Sequence, residues 1–144
     1  ANRVEPEIHY WKRFDNNEDI DLSDDETKIA YSSCVTAKNF NADAIVVYTH
    51  TGDSARRLSG LGAGCPILAI TDNKRTFRQL ALAWNVTPIF VEGEETIEET
   101  VEKGIQKLKE KEILEKGDVV VLLGGAQTFS MGLDKKVLGG IVRI

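Results

Sequence analysis

The chain is 144 residues long, with 42% hydrophobic and 28% charged residues, and its 18 basic and 23 acidic groups give a net charge of −5. That length suits one α/β domain; it is too short for a (β/α)₈ barrel of about 200 residues or more, and no apolar run approaches the roughly 20 residues of a membrane span. Residues 1–28 hold 4 basic and 9 acidic groups, so the acidity lies near the N-terminus and no basic patch indicates nucleic-acid binding.

Residues 1–22 are interpreted as an N-terminal arm, and residues 23–144 as the domain. The arm carries a short apolar cluster that predicts docking against a neighbouring surface: Ile8, Tyr10, Trp11 and Phe14. Ser23-Asp24-Asp25-Glu26 is a capping-box pattern, which predicts a helix over 24–39. The chain begins at Ala1 rather than Met, which is compatible with processing or with excision from a longer polypeptide.

Beyond this helix, strands and helices alternate. A continuous apolar run predicts a strand buried on both faces at 44–48, and another buried strand is predicted at 118–123. Further strands are predicted at 66–71, 86–91 and 138–144, and short helices at 54–61 and 74–83. Helical spacing of apolar residues predicts an amphipathic helix at 96–111. Repeated strand–helix–strand order predicts an α/β fold with a mostly parallel sheet and helices on both faces. We expect the strand order 3-2-1-4-5, in which strands one and four adjoin.

Two loops at strand ends are candidate binding sites, because ligands of open α/β sheets bind beyond the carboxyl ends of the strands. The first loop offers hydroxyls, a glycine and a helix start, which together favour an anion such as phosphate: Thr49, His50, Thr51, Gly52, Asp53 and Ser54. The second follows strand four and looks suited to lying over a ligand: Gly124, Gly125, Gln127 and Thr128.

An alternative reading of the first loop is plain helix capping, for which Thr, Ser and Asp are ordinary residues. Asp53 favours this alternative because a carboxylate repels phosphate, and the loop lacks the Gly-Lys-Ser/Thr end of a Walker A motif. The only histidines, His9 and His50, have no third ligand nearby, so no metal site is predicted. No triad, nucleophile elbow or carboxylate pair indicates a catalytic residue.

The two cysteines, Cys34 and Cys65, have neither metal-site nor disulfide-framework spacing. They predict two reduced, buried thiols, and we expect the protein to be cytoplasmic.

Four stretches are similar, in order and spacing, to the C-terminal domain of pyruvate kinase. They are AIVVYTHTGDSAR at 44–56, PILAITDN at 66–73, LALAWNVTP at 80–88 and KGDVVV at 116–121. The resemblance implies a three-layer α/β/α sandwich whose five-stranded sheet has an antiparallel last strand. It also implies subunit contacts through a helix and the last strand, and a pocket for a phosphorylated effector at residues 49–54.

The resemblance further implies a longer parent enzyme that transfers phosphate from phosphoenolpyruvate to ADP, giving pyruvate and ATP in glycolysis. The active site, with Mg²⁺ and K⁺, would lie in the parent's barrel, so this chain alone is expected to be inactive and to hold no cofactor. The sequence Glu92-Gly93-Glu94-Glu95-Thr96 lacks the tryptophan and arginine of fructose-bisphosphate-regulated members. A sugar monophosphate, a nucleotide or no effector therefore stays open.

Two alternatives of a different class stay open as well. The chain could be a free-standing protein of the same fold that binds a small phosphorylated molecule. It could also be a purely structural module that joins subunits.

Overall fold

The computed structural model describes residues 25–93, 96–123 and 141–144. The helices are α1 (Asp25–Asn39), α2 (Asp53–Leu61), α3 (Lys74–Leu80) and α4 (Ile97–Glu110). The strands are β1 (Ala44–Tyr48), β2 (Ile67–Thr71), β3 (Val86–Phe90), β4 (Val119–Leu123) and β5 (Ile141–Arg143). The predicted arm, the start of the capping box at Ser23 and the second candidate loop lie outside the described residues.

The sheet has β1 at its centre, and β3, β2, β1 and β4 follow one another as parallel neighbours. Ile45 of β1 pairs with Ile67 of β2 on one side and with Val121 of β4 on the other. The predicted α/β fold with a parallel sheet is confirmed. Beyond β4, the three residues of β5 run antiparallel to it, with Ile141 opposite Val121. The full last strand at 138–144 stays a prediction, because residues 138–140 lie outside the described part.

Alternate residues of β1, β2 and β4 enter two separate cores, which is why nearly all residues of these three strands are apolar. Ile45 and Val47 face a core closed by α1, α2 and α3, whereas Ala44 and Val46 face a core closed by α4. Helices therefore cover both faces of the sheet, in three layers.

The α1 helix packs closely because its buried side chains are small: Ala30, Cys34 and Ala37. Cys34 and Cys65 are both buried thiols, as predicted. Burial raises the pKa of the Cys34 thiol to about 12, so the thiol is an uncharged packing group at neutral pH. On the opposite face, Gly104 brings α4 so near the sheet that a Cβ there would overlap the Ile70 side chain.

The helix predicted at 74–83 is shorter than expected, ending at Leu80 rather than at residue 83. The amides of Leu82 and Ala83 donate to carbonyls three residues earlier, those of Gln79 and Leu80, which tightens the chain into a turn. Asn85 then adopts a left-handed conformation, with φ of 58°, directly before β3 begins at Val86. No helix in the described part of the chain is both long and apolar enough to cross a membrane.

Part of the outer edge of β3 is unavailable for further hydrogen bonding. Val91 donates its amide to Thr71 of β2, so the alternate residues of β3 point their backbone groups outward. Of these, Val86 donates its amide to the Ala83 carbonyl at 3.4 Å, and Pro88 has no N–H. The Phe90 carbonyl accepts a hydrogen bond from Lys107 Nζ at 2.7 Å.

Candidate functional site

The first candidate loop, residues 49–54, is a tight turn between the end of β1 and the start of α2. Thr49 is buried, and its amide continues the sheet by donating to the Ile70 carbonyl at 2.9 Å. Its hydroxyl accepts a hydrogen bond from the Gly52 amide at 2.8 Å. Gly52 has φ of 90°, a conformation that favours glycine, so the turn depends on both residues.

The start of α2 lacks a side-chain cap because its N-cap residue is Gly52. The Thr51 hydroxyl accepts only a long hydrogen bond, 3.3 Å, from the Asp53 amide. The Arg56 side chain folds back across the turn, where Nη2 donates to the Thr51 carbonyl at 2.8 Å. A helix N-terminus and a guanidinium group thus lie together at this loop, and both attract anions.

Asp53 has an exposed carboxylate that lies 3.7 Å from Nη2 of Arg57. The same nitrogen lies 3.2 Å from Glu26, and Arg57 Nη1 donates to the Thr27 hydroxyl at 2.7 Å. Arg57 thereby joins α1 to α2 and offsets part of the negative charge of two carboxylates. Because these carboxylates are solvated, the offset is modest.

His50 is held by side chains that the sequence reasoning missed. Its Nδ1 lies 2.9 Å from Oδ1 of Asp72, and the Tyr48 hydroxyl donates to Oδ2 of the same carboxylate at 3.3 Å. The Thr76 hydroxyl donates to the His50 carbonyl at 2.7 Å. Burial, together with the charge and hydrogen bond of Asp72, raises the pKa of Tyr48.

A signal for Asp72 exists in the sequence, because it follows β2 in Thr71-Asp72-Asn73. In the strand order 3-2-1-4, β2 adjoins β1 as closely as β4 does, so the end of β2 lies beside His50. The loop after β2 was therefore as strong a candidate as the loop after β4.

A cleft of about 330 Å³ opens over this loop. Its walls come from Glu26 and Ile29 of α1, from residues 48–51 with Asp53 and Ser54, and from Leu123 at the end of β4. The second candidate loop, with Gly124, Gly125, Gln127 and Thr128, begins directly after Leu123 but lies outside the described residues. Ends of β1 and β4 thus border one cleft, because Val47 pairs with Leu123.

A larger cleft of about 600 Å³ lies between α4 and the end of β3, and none of the predicted site residues lines it. Within residues 25–93, 96–123 and 141–144, no group of three or more His, Cys, Asp or Glu side chains is arranged to hold a metal ion.

Comparison with known proteins places this fold in a family. The family model described as pyruvate kinase, alpha/beta domain, matches residues 27–133, which is more than half of the chain. The chain belongs to the pyruvate kinase α/β domain family. The resemblance read from the four sequence stretches is thereby confirmed.

Similar pyruvate kinases come from several bacteria. That of Clostridium acetobutylicum is 30% identical over 128 residues, covering 89% of this chain and 27% of the relative. That of Thermotoga maritima is 32% identical over 125 residues, covering 87% and 26%. The chain thus spans about a quarter of the length of these pyruvate kinases.

A crystal structure of pyruvate kinase from Cryptosporidium parvum is also similar. It matches with a TM-score of 0.71 and 22% sequence identity, over 85% of this chain and 25% of that one. At this identity, the likeness to that pyruvate kinase concerns the fold.

Proposed function

We propose that this chain is the regulatory and subunit-assembly domain of a pyruvate kinase and binds a phosphorylated effector at residues 49–54. The parent enzyme would transfer phosphate from phosphoenolpyruvate to ADP in a barrel domain, with Mg²⁺ and K⁺ held there. This domain would contribute no catalytic residue and would contact that barrel and further copies of itself. Membership of the family and the share of its relatives' length support this division of labour.

The start of α2 carries the proposal for the effector. There the N-cap Gly52 offers no side-chain cap, Arg56 lies across the turn, and His50 and Ser54 line the same cleft. A phosphate group placed there would accept from first-turn amides and would balance the positive end of the helix dipole. The exposed Asp53 carboxylate opposes this, which favours an anion of modest charge over a bisphosphate.

The test adds one negative charge at the site. Ser54→Asp places a carboxylate in the first turn of α2, and Ser32→Asp places the same charge on the exposed surface of α1. Titration calorimetry of the full chain with glucose 6-phosphate and with AMP measures affinity. We expect at least a tenfold loss of affinity for Ser54→Asp and less than a twofold change for Ser32→Asp.

The opposite change sharpens the same test. Asp53→Ser removes the opposing carboxylate and is expected to raise affinity severalfold. No heat from either ligand at 10 mM, or an equal loss in both aspartate variants, would contradict an effector site and leave the structural alternative standing.

Assembly is supported by a separate observation, the position of β5. Ile144 exchanges backbone hydrogen bonds with Gly117 and Asp118, so by alternation Ile141 and Arg143 point their backbone groups away from β4. These outward groups could pair with those of a second copy across a two-fold axis.

Arg143→Pro removes one outward N–H while sparing the bonds to β4, and Arg143→Ala keeps it. Analytical ultracentrifugation should show a dimer for the full chain and for Arg143→Ala, and a monomer for Arg143→Pro. A monomeric unchanged chain at 100 μM, or an intact Arg143→Pro dimer, would contradict assembly through β5.

A further inference from the structure

We propose that His50 is the pH-dependent anion-binding side chain of the proposed effector site, on which this inference rests. Asp72 positions the His50 ring, and anion binding is coupled to the uptake of one proton at His50 Nε2. The proposal gives Asp72 a role in the site although Asp72 follows β2 and the loop at residues 49–54 follows β1. It also makes binding at the loop sensitive to pH.

The Asp72 contact fixes which ring nitrogen changes its protonation. A carboxylate only accepts hydrogen bonds, so at 2.9 Å from Oδ1 of Asp72 the Nδ1 atom of His50 carries a hydrogen. In the neutral ring, Nε2 is then a lone-pair acceptor, and in the protonated ring it is a donor. An anion can accept a hydrogen bond from Nε2 only after the ring has taken up a proton.

The ring is held in place yet remains accessible. The Thr76 hydroxyl fixes the His50 carbonyl at 2.7 Å, and Asp72 fixes the imidazole. The His50 side chain is nevertheless 63% exposed, and it lines the cleft beside Thr51 and Ser54. Because Nδ1 is occupied by Asp72, Nε2 is the nitrogen available to a ligand.

Charged and titratable groups surround His50 on every neighbouring element. Asp72 stands at the end of β2, Tyr48 at the end of β1, and Glu26 on α1. The α2 helix adds Asp53, Arg56 and Arg57 to this set. From α3, the Thr76 hydroxyl contacts His50, and the Lys74 ammonium lies over the Phe90 ring.

The charges around the cleft show why a proton matters. The carboxylates of Glu26, Asp53 and Asp72 oppose the entry of a dianion, and the guanidinium groups of Arg56 and Arg57 offset them in part. A proton on His50 adds one positive charge and supplies the missing donor, so the anion and the proton each favour the binding of the other.

Titration calorimetry of the full chain between pH 5.5 and 8.5 tests this coupling. Sulfate is the first probe, because its own charge is constant over this range, and glucose 6-phosphate is the second. Affinity for sulfate should fall as pH rises, approaching about tenfold per pH unit at the steepest point, the limit for one proton.

Three variants separate the roles. His50→Gln should lose the pH dependence and bind sulfate at pH 6 as weakly as the unchanged chain does at pH 8. Asp72→Asn keeps an acceptor for Nδ1 but removes the charge, so the midpoint of the pH profile should move to lower pH. His9→Gln, a matched change at the chain's other histidine, should leave the profile unchanged.

The outcomes distinguish the two proposals. Binding that Ser54→Asp abolishes, but whose affinity for sulfate is independent of pH, overturns the proton coupling and leaves the effector site standing. A pH profile unaltered by His50→Gln does the same. If neither probe binds even at pH 6, the effector site itself fails, and the coupling with it.

Discussion

Two polar clusters, one at each end of the parallel sheet, use their side chains in different ways. At the amino end, Asn85 donates from Nδ2 to the carbonyls of Ala63 and Cys65, at 3.2 and 2.8 Å. At the carboxyl end, His50 and Tyr48 bind the carboxylate of Asp72 instead. The first arrangement bonds side chain to backbone and closes a turn, whereas the second bonds side chain to side chain and leaves the histidine exposed.

This difference separates stability from binding. Side chains that satisfy buried backbone groups are costly to remove, since an orphaned carbonyl loses its partner without regaining water. Exposed side chains that bond each other can exchange partners with a ligand or with water at small cost. Substitution of Asn85 should therefore lower stability alone, whereas substitution of His50 should mainly lower binding.

The largest effect on stability is expected for Asn85→Ala. It removes both hydrogen bonds and places alanine in a left-handed conformation, with a combined cost of about 2–4 kcal/mol. Urea unfolding of the full chain measures this cost. Asn85→Gly tolerates the backbone conformation, so it should cost about half as much. Anion affinity should not change, because a five-residue strand separates the two ends by roughly 16 Å, and a tenfold loss of affinity would refute the separation.

A smaller loss of stability is expected for Gly52→Ala, which also damages the site. Its φ of 90° disfavours alanine, and the new Cβ would lie 2.7 Å from Nη1 of Arg56. Arg56 is flexible and can swing away, so the cost is the backbone conformation, about 1–2 kcal/mol. Arg56→Ala should cost under about 0.5 kcal/mol. If Gly52→Ala proves as stable as the unchanged chain in urea, the turn does not require glycine.

A pH effect is expected from Tyr48, whose pKa is raised in the folded protein by burial and by Asp72. A raised pKa means that the fold binds the phenol proton more tightly than the unfolded chain does. Its contribution is therefore complete below about pH 10, the ordinary value, and is lost as pH rises above it. Denaturant unfolding is measured at pH 8 and at pH 10.5. Between these two pH values, the denaturant midpoint of the unchanged chain should fall further than that of Tyr48→Phe, and an equal fall in both proteins would contradict this.

The smallest effect on stability is expected for His50→Gln. The side chain is largely exposed, and glutamine preserves a polar group beside Asp72, so the free energy of unfolding should change by less than about 0.5 kcal/mol. A loss above 2 kcal/mol would mean that the carboxyl end is as structural as the amino end.

Much of the fold could be predicted from the sequence, because a strand buried on both faces of the sheet appears in the sequence as a continuous run of apolar residues. Residues 44–48 read AIVVY and form β1, at the centre of the sheet, with the predicted bounds. The end of α3 could not be placed, because it depends on tertiary contacts. The Ser59 hydroxyl of α2 donates to the Trp84 carbonyl, and Asn85 Nδ2 donates to the Cys65 carbonyl just before β2. These contacts hold the segment after Leu80 in a turn.

The site was only half predictable. Residues 49–54 are contiguous, so their gathering into one turn follows from the strand–helix junction. Asp72 joins them only because β2 pairs with β1, and Thr76 only because α3 packs beside the turn. The position of Arg56 depends on the space that glycine leaves at residue 52. Each of these contacts is set by strand neighbourhood or by missing volume rather than by local spacing.

The blocked edge of β3 has a consequence for how copies of this domain can associate. A strand arriving there would meet Pro88, which has no amide to offer, and a Phe90 carbonyl already bonded to Lys107. Strand pairing between copies is thereby disfavoured at β3, and the proposed pairing would use the opposite side of the sheet. If only that side pairs, each subunit joins one partner, so association of this kind would close at two rather than grow into a fibre.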